Sequence, residues 1–303
     1  MTRTEWKHAT ATGEVLEPTN TGRPLWLRVL QHPLVRLALL GPIFFVLIGI
    51  SNGFMAQFSA SPVKALGSAV GMALLGLAIY WALVRLIEQR PVRELSLSGI
   101  GRELGAGVLM GAGLCVLCFV ILMLLGTYRI EGVNPVLVVL PALAMAISSG
   151  VLEELMWRGG FFRILEEGLG SWIALAASAL VFGLSHYAPT KAALWGAFAI
   201  TIEAGLLLAT TYMVTRRLWT CIGLHMAWNF AQSGVFSGVV SGAVSYPGLF
   251  KSTVEGSAIL TGGAFGVEAS IVAVLVGTAA GIVMLVMAHR RGLIVPPIWK
   301  RSG

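Results

Sequence analysis

Apolar runs of about 20 residues alternate with short polar segments along most of the chain. An α-helix rises about 1.5 Å per residue, so a run of this length crosses the roughly 30 Å hydrocarbon core of a bilayer. The pattern therefore predicts an all-α polytopic membrane protein. About eight membrane-spanning helices are expected, at residues 37–58, 65–84, 104–126, 134–157, 172–188, 192–215, 218–240 and 269–288.

The composition agrees with a membrane protein. Of the 303 residues, 56% are hydrophobic and only 12% are charged, whereas a soluble domain carries about 25% charged residues. We predict one intramembrane domain over residues 34–290, between cytoplasmic tails at 1–33 and 291–303. Because residues 1–33 lack an early apolar core, no cleavable signal peptide is predicted.

The net charge of +7 is distributed unevenly over the predicted loops. When the amino terminus is placed inside, most lysines and arginines fall in cytoplasmic segments, in agreement with the positive-inside rule. Both termini of this multi-pass cell-membrane protein are therefore expected in the cytoplasm. Because membrane topology explains the basic excess, no nucleic acid is predicted as a partner.

Several catalytic classes are excluded by residues that the chain does not contain. Aspartate is absent, so neither an aspartic protease dyad nor a Ser-His-Asp triad is possible. The H-E-x-x-H zinc motif, the G-x-S-x-G elbow and the Walker P-loop are also missing. Cys115 and Cys118 form a C-x-x-C pair, which we interpret as small apolar side chains on one helix face rather than a redox or zinc site.

Glycine is abundant, with 37 residues, and two pairs have the spacing of one helical turn. These are Gly67 with Gly71 and Gly107 with Gly111. Small residues at this spacing allow helices to approach closely in lipid. Both pairs are therefore predicted to lie at helix–helix contacts.

Three polar clusters interrupt the apolar spans. They are E-E-L-M-W-R with Glu153, Glu154 and Arg158, F-G-L-S-H with Phe182 and His186, and H-M-A-W-N with His225 and Asn229. An ionisable group inside a bilayer costs several kcal/mol, so such groups are rare there and usually functional. Two carboxylates, two imidazoles, an arginine and a carboxamide are sufficient for a hydrolytic site.

The spacing within the clusters suggests separate tasks. Glu154 and Arg158 are four residues apart and can pair on one helix face, while Glu153 points elsewhere and stays free to act as a general base. His225 and Asn229 also share a face and can present two N–H donors to one point, as an oxyanion hole requires. Structural ion pairs and helix–helix hydrogen bonds remain the alternative interpretation of each cluster.

Two features are not explained by the spacing within the clusters: the depth of His186 and the presence of Glu203. Counted from the inner ends of the predicted spans, Glu153 and His225 lie roughly 10 Å deep and His186 roughly 20 Å deep. Either the fifth helix begins later, or the fourth and fifth helices are tilted or broken. Glu203 is a further carboxylate within the sixth predicted span, for which a structural hydrogen bond and a contribution to the site are both open.

The ordered set of clusters resembles the intramembrane CPBP family of CAAX and bacteriocin-processing proteases. The family motifs E-E-x-x-x-R, F-x-x-x-H and H-x-x-x-N match at Glu153, His186 and Asn229 and their neighbours, within a resemblance that covers about residues 90–240. It implies an intramembrane endopeptidase in which Glu153 and His186 activate a water. His225 and Asn229 would stabilise the oxyanion, and Arg158 would hold Glu154.

The resemblance leaves cofactor and function alternatives open. Glu153, His186 and His225 could form a zinc site with an open position for water, so Zn²⁺ is the alternative to the metal-free mechanism that we favour. The expected partners are membrane lipids and a membrane-anchored protein or peptide substrate. The alternative function is a non-catalytic membrane immunity or scaffold protein that retains the polar core.

Overall fold

The structure is a computed structural model that describes residues 24–187, 193–242 and 246–301. Most of these residues are helical. The α-helices are α1 (Leu25–Gln31), α2 (Pro33–Gln57), α3 (Pro62–Leu83), α4 (Ile100–Leu124), α5 (Leu140–Glu154), α6 (Arg163–Ser185), α7 (Ala193–Ile200), α8 (Leu206–Thr215), α9 (Leu218–Asn229), α10 (Ala258–Thr261) and α11 (Ile271–Arg290). Shorter 3₁₀ turns lie at Arg93–Leu95, Val136–Val139, Gly263–Phe265, Val267–Ala269 and Ile298–Lys300.

Wider π-helical segments continue several of these helices. They are Val84–Glu88, Leu155–Phe162, Thr201–Gly205 and Phe230–Val235. Three of them adjoin the polar residues singled out above: the second carries Arg158, the third carries Glu203 and the fourth follows Asn229. Such π segments are rare and occur often at functional sites.

Six helical stretches of the described chain are long and apolar enough to cross a membrane. They are Pro33–Gln57, Pro62–Glu88, Ile100–Leu124, Val136–Ser185, Leu194–Thr215 and Ile271–Arg290. The chain is thus a multi-pass α-helical membrane protein, but the predicted count of eight spans is not exact. Two of the predicted spans lie in the 50-residue stretch Val136–Ser185, and α9 with its π segment is not among the six.

The 50-residue stretch folds back on itself at Gly170. This residue has φ 78° and ψ 168°, a conformation open essentially to glycine alone. Residues 158–169, predicted as a cytoplasmic loop, instead continue the helix that carries Glu153, and Arg158 within them is buried. Glu153 lies 17 residues before Gly170 and His186 lies 16 residues after it, so the turn places the two at equal depth.

The carboxy-terminal segment covers this turn. The Ser171 amide donates to the Val295 carbonyl at 2.9 Å, and the Val295 amide donates to Ser171 Oγ at 2.8 Å. A Cβ atom on Gly170 would lie 2.7 Å from the backbone nitrogen of Pro297. The turn is therefore restricted both by its own backbone angles and by the chain packed against it.

We expect Gly170→Ala to destabilise the protein strongly. The backbone strain alone costs about 1–3 kcal/mol, and the contact with Pro297 adds to it. Gly168→Ala is the matched control, because its Cβ would meet nothing within 4 Å. Thermal unfolding of both variants in detergent measures the difference; equal midpoints would contradict a conformational role for Gly170.

Helix α9 packs closely against α4. A Cβ on Gly107 would lie 2.2 Å from the Thr220 carbonyl oxygen, and one on Gly111 would lie 2.1 Å from that of Leu224. The predicted contact at this glycine pair is confirmed. The prediction for Gly67 and Gly71 is wrong, since a Cβ there would meet nothing within 4 Å.

The predicted external loop 241–268 contains regular structure. Strand β2 (Phe250–Val254) pairs antiparallel with β1 (Tyr128–Val133), and the register shifts between Ile130 and Gly132. The loop also contains α10 and two 3₁₀ turns, the second of which carries the buried Glu268. The segment therefore contributes to the protein interior.

A network of ion pairs holds α2, the end of α3 and the start of α6 together. Arg163 bonds to Glu88 at 2.6 Å, and Arg90 bonds to Glu94 at 2.6 Å. The Tyr80 hydroxyl lies 2.7 Å from Glu94 Oε1 and 2.9 Å from the Gly159 carbonyl oxygen, within the π segment that carries Arg158. The network thus anchors the segment next to the polar clusters.

The charge on Glu94 is stabilised in this network. Burial alone would raise the pKa of Glu94, but the hydrogen bond and charge of Arg90 and the charge of Arg163 lower it overall. A carboxyl whose folded-state pKa is depressed contributes stability above its unfolded pKa. That contribution is lost as the pH falls through the folded-state pKa, so the network is intact at neutral pH.

Candidate active site

Glu154 lies at the centre of the polar cluster and is fully buried. Its Oε1 accepts hydrogen bonds from Arg158 Nη1 and from His225 Nδ1, each at 2.8 Å. The predicted pairing of Glu154 with Arg158 is confirmed. The contact with His225 joins the first motif to the third, which spacing within either helix does not reveal.

Arg158 connects three parts of the chain. Besides Glu154, its Nη2 lies 3.3 Å from the carbonyl oxygen of Ala204, in the π segment after α7. Its guanidinium carbon lies 4.4 Å from the centre of the Phe182 ring, as in a cation–π contact. The arginine is only 2% exposed, so these contacts replace the water that it loses on burial.

Glu153 and His186 face each other from α5 and the end of α6. Glu153 Oε2 lies 3.8 Å from His186 Nε2 and has no hydrogen-bond partner among the described residues. His186 Nδ1 lies 2.8 Å from the Phe182 carbonyl oxygen, which can only accept a hydrogen. The Phe182 ring packs on the imidazole, with 4.8 Å between ring centres, as the F-x-x-x-H spacing predicts.

His225 and Asn229 lie one turn apart on α9 and line the same cavity. Asn229 Nδ2 donates to Ser149 Oγ at 3.0 Å. Ser149 is four residues before Glu153, so it lies on the same face of α5. The sequence motifs did not indicate Ser149 as a partner of Asn229, although its spacing of four residues from Glu153 places it next to the motif.

The cavity has a volume of about 30 Å³, and its lining includes His186, His225 and Asn229. Glu203, Ser241 and Glu268 lie on its remaining wall. The structure therefore places Glu203 in the wall of the cavity, and it adds Ser241 and Glu268, which sequence reasoning missed. Both lie far along the chain from the motifs, so no local pattern indicates them.

Glu268 is held in place by Ser241. Its Oε2 accepts from the Ser241 amide at 2.7 Å and from the Ser241 hydroxyl at 2.9 Å. Burial raises the pKa of Glu268 above its usual value, against the lowering effect of these two hydrogen bonds. The side chain is 3% exposed.

The alternative zinc site would take its ligands from Glu153, His186 and His225. In the part of the chain that the structure describes, no group of three or more His, Cys, Asp or Glu side chains is arranged to hold a metal ion. His225 Nδ1 donates to Glu154, which leaves Nε2 as the ring nitrogen of His225 that is open to another group.

All seven residues of the three motifs lie between residues 135 and 231. This range matches the family model described as type II CAAX prenyl endopeptidase Rce1-like. Residues 135–231 are thus similar to this family. The match supports the resemblance to the CPBP and CAAX intramembrane proteases and, at the level of the family, a CAAX-type endopeptidase.

The Rce1-like segment covers about a third of the chain. It includes Glu203, whereas Ser241 and Glu268 lie beyond its end. No curated protein and no solved structure matched the chain. The far wall of the cavity is thus built partly from residues outside the matched range.

Proposed function

We propose that the protein is an intramembrane endopeptidase in which Glu153 activates a water to hydrolyse a peptide bond of a membrane-associated or lipidated protein or peptide. The observation that carries this proposal is the 3.8 Å separation of Glu153 Oε2 and His186 Nε2 within a membrane helix hairpin. Two acceptors this close can receive both hydrogens of one water. The match of residues 135–231 supports the same class of activity.

The contact of His186 Nδ1 selects one tautomer of the neutral ring. Because Nδ1 faces a carbonyl oxygen, Nδ1 carries a hydrogen, and in the neutral ring Nε2 then has its lone pair toward Glu153. Among the described residues, the buried Glu153 Oε2 has no hydrogen-bond donor, so this oxygen is free to accept from a water. Glu153 accepts the water proton as the water oxygen attacks the peptide carbonyl carbon.

The developing oxyanion needs donors on the other side of the carbonyl. His225 donates through Nδ1 to Glu154, and this carboxylate stabilises the imidazolium, whose Nε2–H then points away from Glu154. Asn229 uses one amide hydrogen on Ser149 and has a second available. These two groups stabilise the oxyanion, while Arg158 acts as a positioning residue through Glu154.

Collapse of the intermediate completes the reaction. The carbon–nitrogen bond breaks, and the proton taken up by Glu153 passes to the leaving amine. The water oxygen remains in the new carboxyl group, so atoms and charge balance without a further reactant. Every group in these steps is a side chain of this protein.

The proposal is tested with the purified full-length protein and peptides that end in S-farnesylcysteine followed by three residues. We expect release of the tripeptide, measured by mass spectrometry, and expect it to continue after dialysis against a chelator. Loss of activity with chelator and recovery with Zn²⁺ would reject metal-free water activation. If neither farnesylated nor acylated peptides were cut, the endopeptidase assignment itself would fail.

Orientation is part of the same proposal: both termini lie in the cytoplasm and the β1–β2 sheet lies outside. Cys115, Cys118 and Cys221 are all buried, so an introduced cysteine is the accessible thiol. We expect Lys251→Cys on β2 to react with an impermeant thiol reagent in intact cells. Arg291→Cys, also exposed, should react only after permeabilisation, and the reverse result would invert the topology.

A further inference from the structure

Glu203 and Glu268 are a second pair of acidic residues, and both line the cavity together with the motif residues His186, His225 and Asn229. Glu203 comes from the π segment Thr201–Gly205 between α7 and α8. Glu268 comes from the 3₁₀ turn Val267–Ala269, just before α11. They are 2% and 3% exposed, so two carboxyl groups from distant parts of the chain are buried beside the same cavity.

These two glutamates differ from the other buried ones of the described chain in lacking a paired arginine or lysine. In the described chain, the remaining buried glutamates each have an arginine partner: Glu94 with Arg90, Glu154 with Arg158, and Glu166 with Arg216. No arginine or lysine of the described residues pairs with Glu203 or Glu268. Glu203 Oε2 is moreover buried without any hydrogen-bond partner there.

Close packing holds both carboxyl groups at the cavity. Glu203 lies against Gly277 of α11, where a Cβ atom would come within 2.4 Å of Glu203 Cγ. Glu268 is held by the backbone amide and the hydroxyl of Ser241, whose own φ is 49°. The position of Glu203 therefore depends on a glycine in α11, and that of Glu268 depends on a loop serine with a left-handed backbone conformation.

A buried acid without a counter-charge is costly when ionised, and a buried acceptor without a donor is costly in either state. A cation that enters the cavity would remove both costs. In the described chain, the basic groups that line the cavity with the two glutamates are His186 and His225, and the charge of the His225 imidazolium is already paired with Glu154. The missing cation is therefore best supplied by what binds in the cavity.

We propose that Glu203 and Glu268 form an acidic subsite that binds an ammonium or guanidinium group of the peptide cut at the neighbouring site. This inference rests on the proposed endopeptidase function and adds a preference for a cationic substrate. The cation has two possible sources: a lysine or arginine side chain near the scissile bond, or the amino terminus of the released product.

The test measures binding, so it does not depend on cleavage. The probes are S-farnesylcysteine peptides with lysine at each of the three following positions in turn, and the same peptides with Nε-acetyl-lysine, which removes only the charge. Their affinities are measured for the full-length Glu153→Gln protein, which leaves the peptides uncut. For one of the positions we expect about tenfold tighter binding of lysine, as for a hydrogen bond to a charged group.

Substitution of the subsite should abolish this preference. In Glu203→Gln and in Glu268→Gln, the lysine and acetyl-lysine peptides should bind within about twofold of each other. Glu131→Gln, an exposed residue on β1, is the matched control and should keep the full preference. If a subsite variant does not fold, the comparison of lysine and acetyl-lysine peptides on the protein that carries Glu153→Gln alone still tests the proposal.

A comparison of product peptides distinguishes a substrate side chain from the product amino terminus as the source of the cation. A tripeptide with a free amino terminus is compared with its N-acetylated form, and tighter binding of the free form alone assigns the subsite to the product amine. Equal binding in both comparisons would overturn the proposal and leave the two glutamates as uncharged packing groups. If the charge preference were found but wild-type protein cut no peptide, the endopeptidase function would fail while the cation site stood.

Discussion

Glu153→Gln should abolish peptide cleavage while the protein still inserts and purifies normally. Glutamine keeps the size of the side chain and removes the base that accepts the water proton. Loss of a general base typically lowers the rate by about 10²–10⁴. The measurement is kcat/KM on the farnesylated peptides that wild-type protein cuts, with gel filtration and thermal unfolding as checks of the fold.

Two comparisons make the result specific. Glu131→Gln carries the same chemical change at an exposed position on β1 and should retain full activity. Because Glu153 and His186 act on the same water, His186→Ala added to Glu153→Gln should cost no further activity. Retention of more than about a tenth of the wild-type rate by Glu153→Gln would show that another group activates the water.

Arg158→Met should unfold most of the protein or lower its stability sharply. The substitution removes the partner of Glu154, which is 0% exposed, and also the contacts with Ala204 and Phe182. Removing one member of a buried ion pair costs about 3–5 kcal/mol, because the other charge is left uncompensated. Thermal unfolding in detergent and the yield of monodisperse protein measure the loss.

The control is the double variant Glu154→Gln with Arg158→Met. Replacing both charges of a buried pair is often nearly neutral for stability, so this protein should regain most of the lost stability. It should remain poorly active, because His225 has lost the carboxylate that positions Nδ1. A double variant as unstable as Arg158→Met alone would show that packing against Phe182, rather than charge, is what Arg158 contributes.

The helix hairpin at Gly170 explains why one sequence prediction failed. Hydropathy ended the fourth span at residue 157, because Arg158 and Arg163 look like loop residues. Both arginines are satisfied instead by carboxylates at Glu154 and Glu88, so the helix continues past them. The apparent difference in depth between Glu153 and His186 came from this misplaced boundary.

The residues that line the cavity show a second limit of prediction from the sequence. Motif spacing indicates which residues share a helix face, and it correctly grouped Glu154 with Arg158 and His225 with Asn229. It carries no information on contacts between helices, such as His225 with Glu154 or Asn229 with Ser149. Glu268 has no motif at all and is recognised only because the loop after α9 folds back into the cavity.

By itself, the sequence determined that this is a polytopic α-helical membrane protein with ionisable groups on three of its helices, because hydropathy and helical periodicity are local properties. Tertiary structure decided which of these groups meet, through the turn at Gly170 and the packing of α9 on α4. It also decided that Glu203 and Glu268 share the cavity with no arginine partner among the residues that the structure describes. Burial and pairing depend on segments that are distant in sequence, so no local pattern contains them.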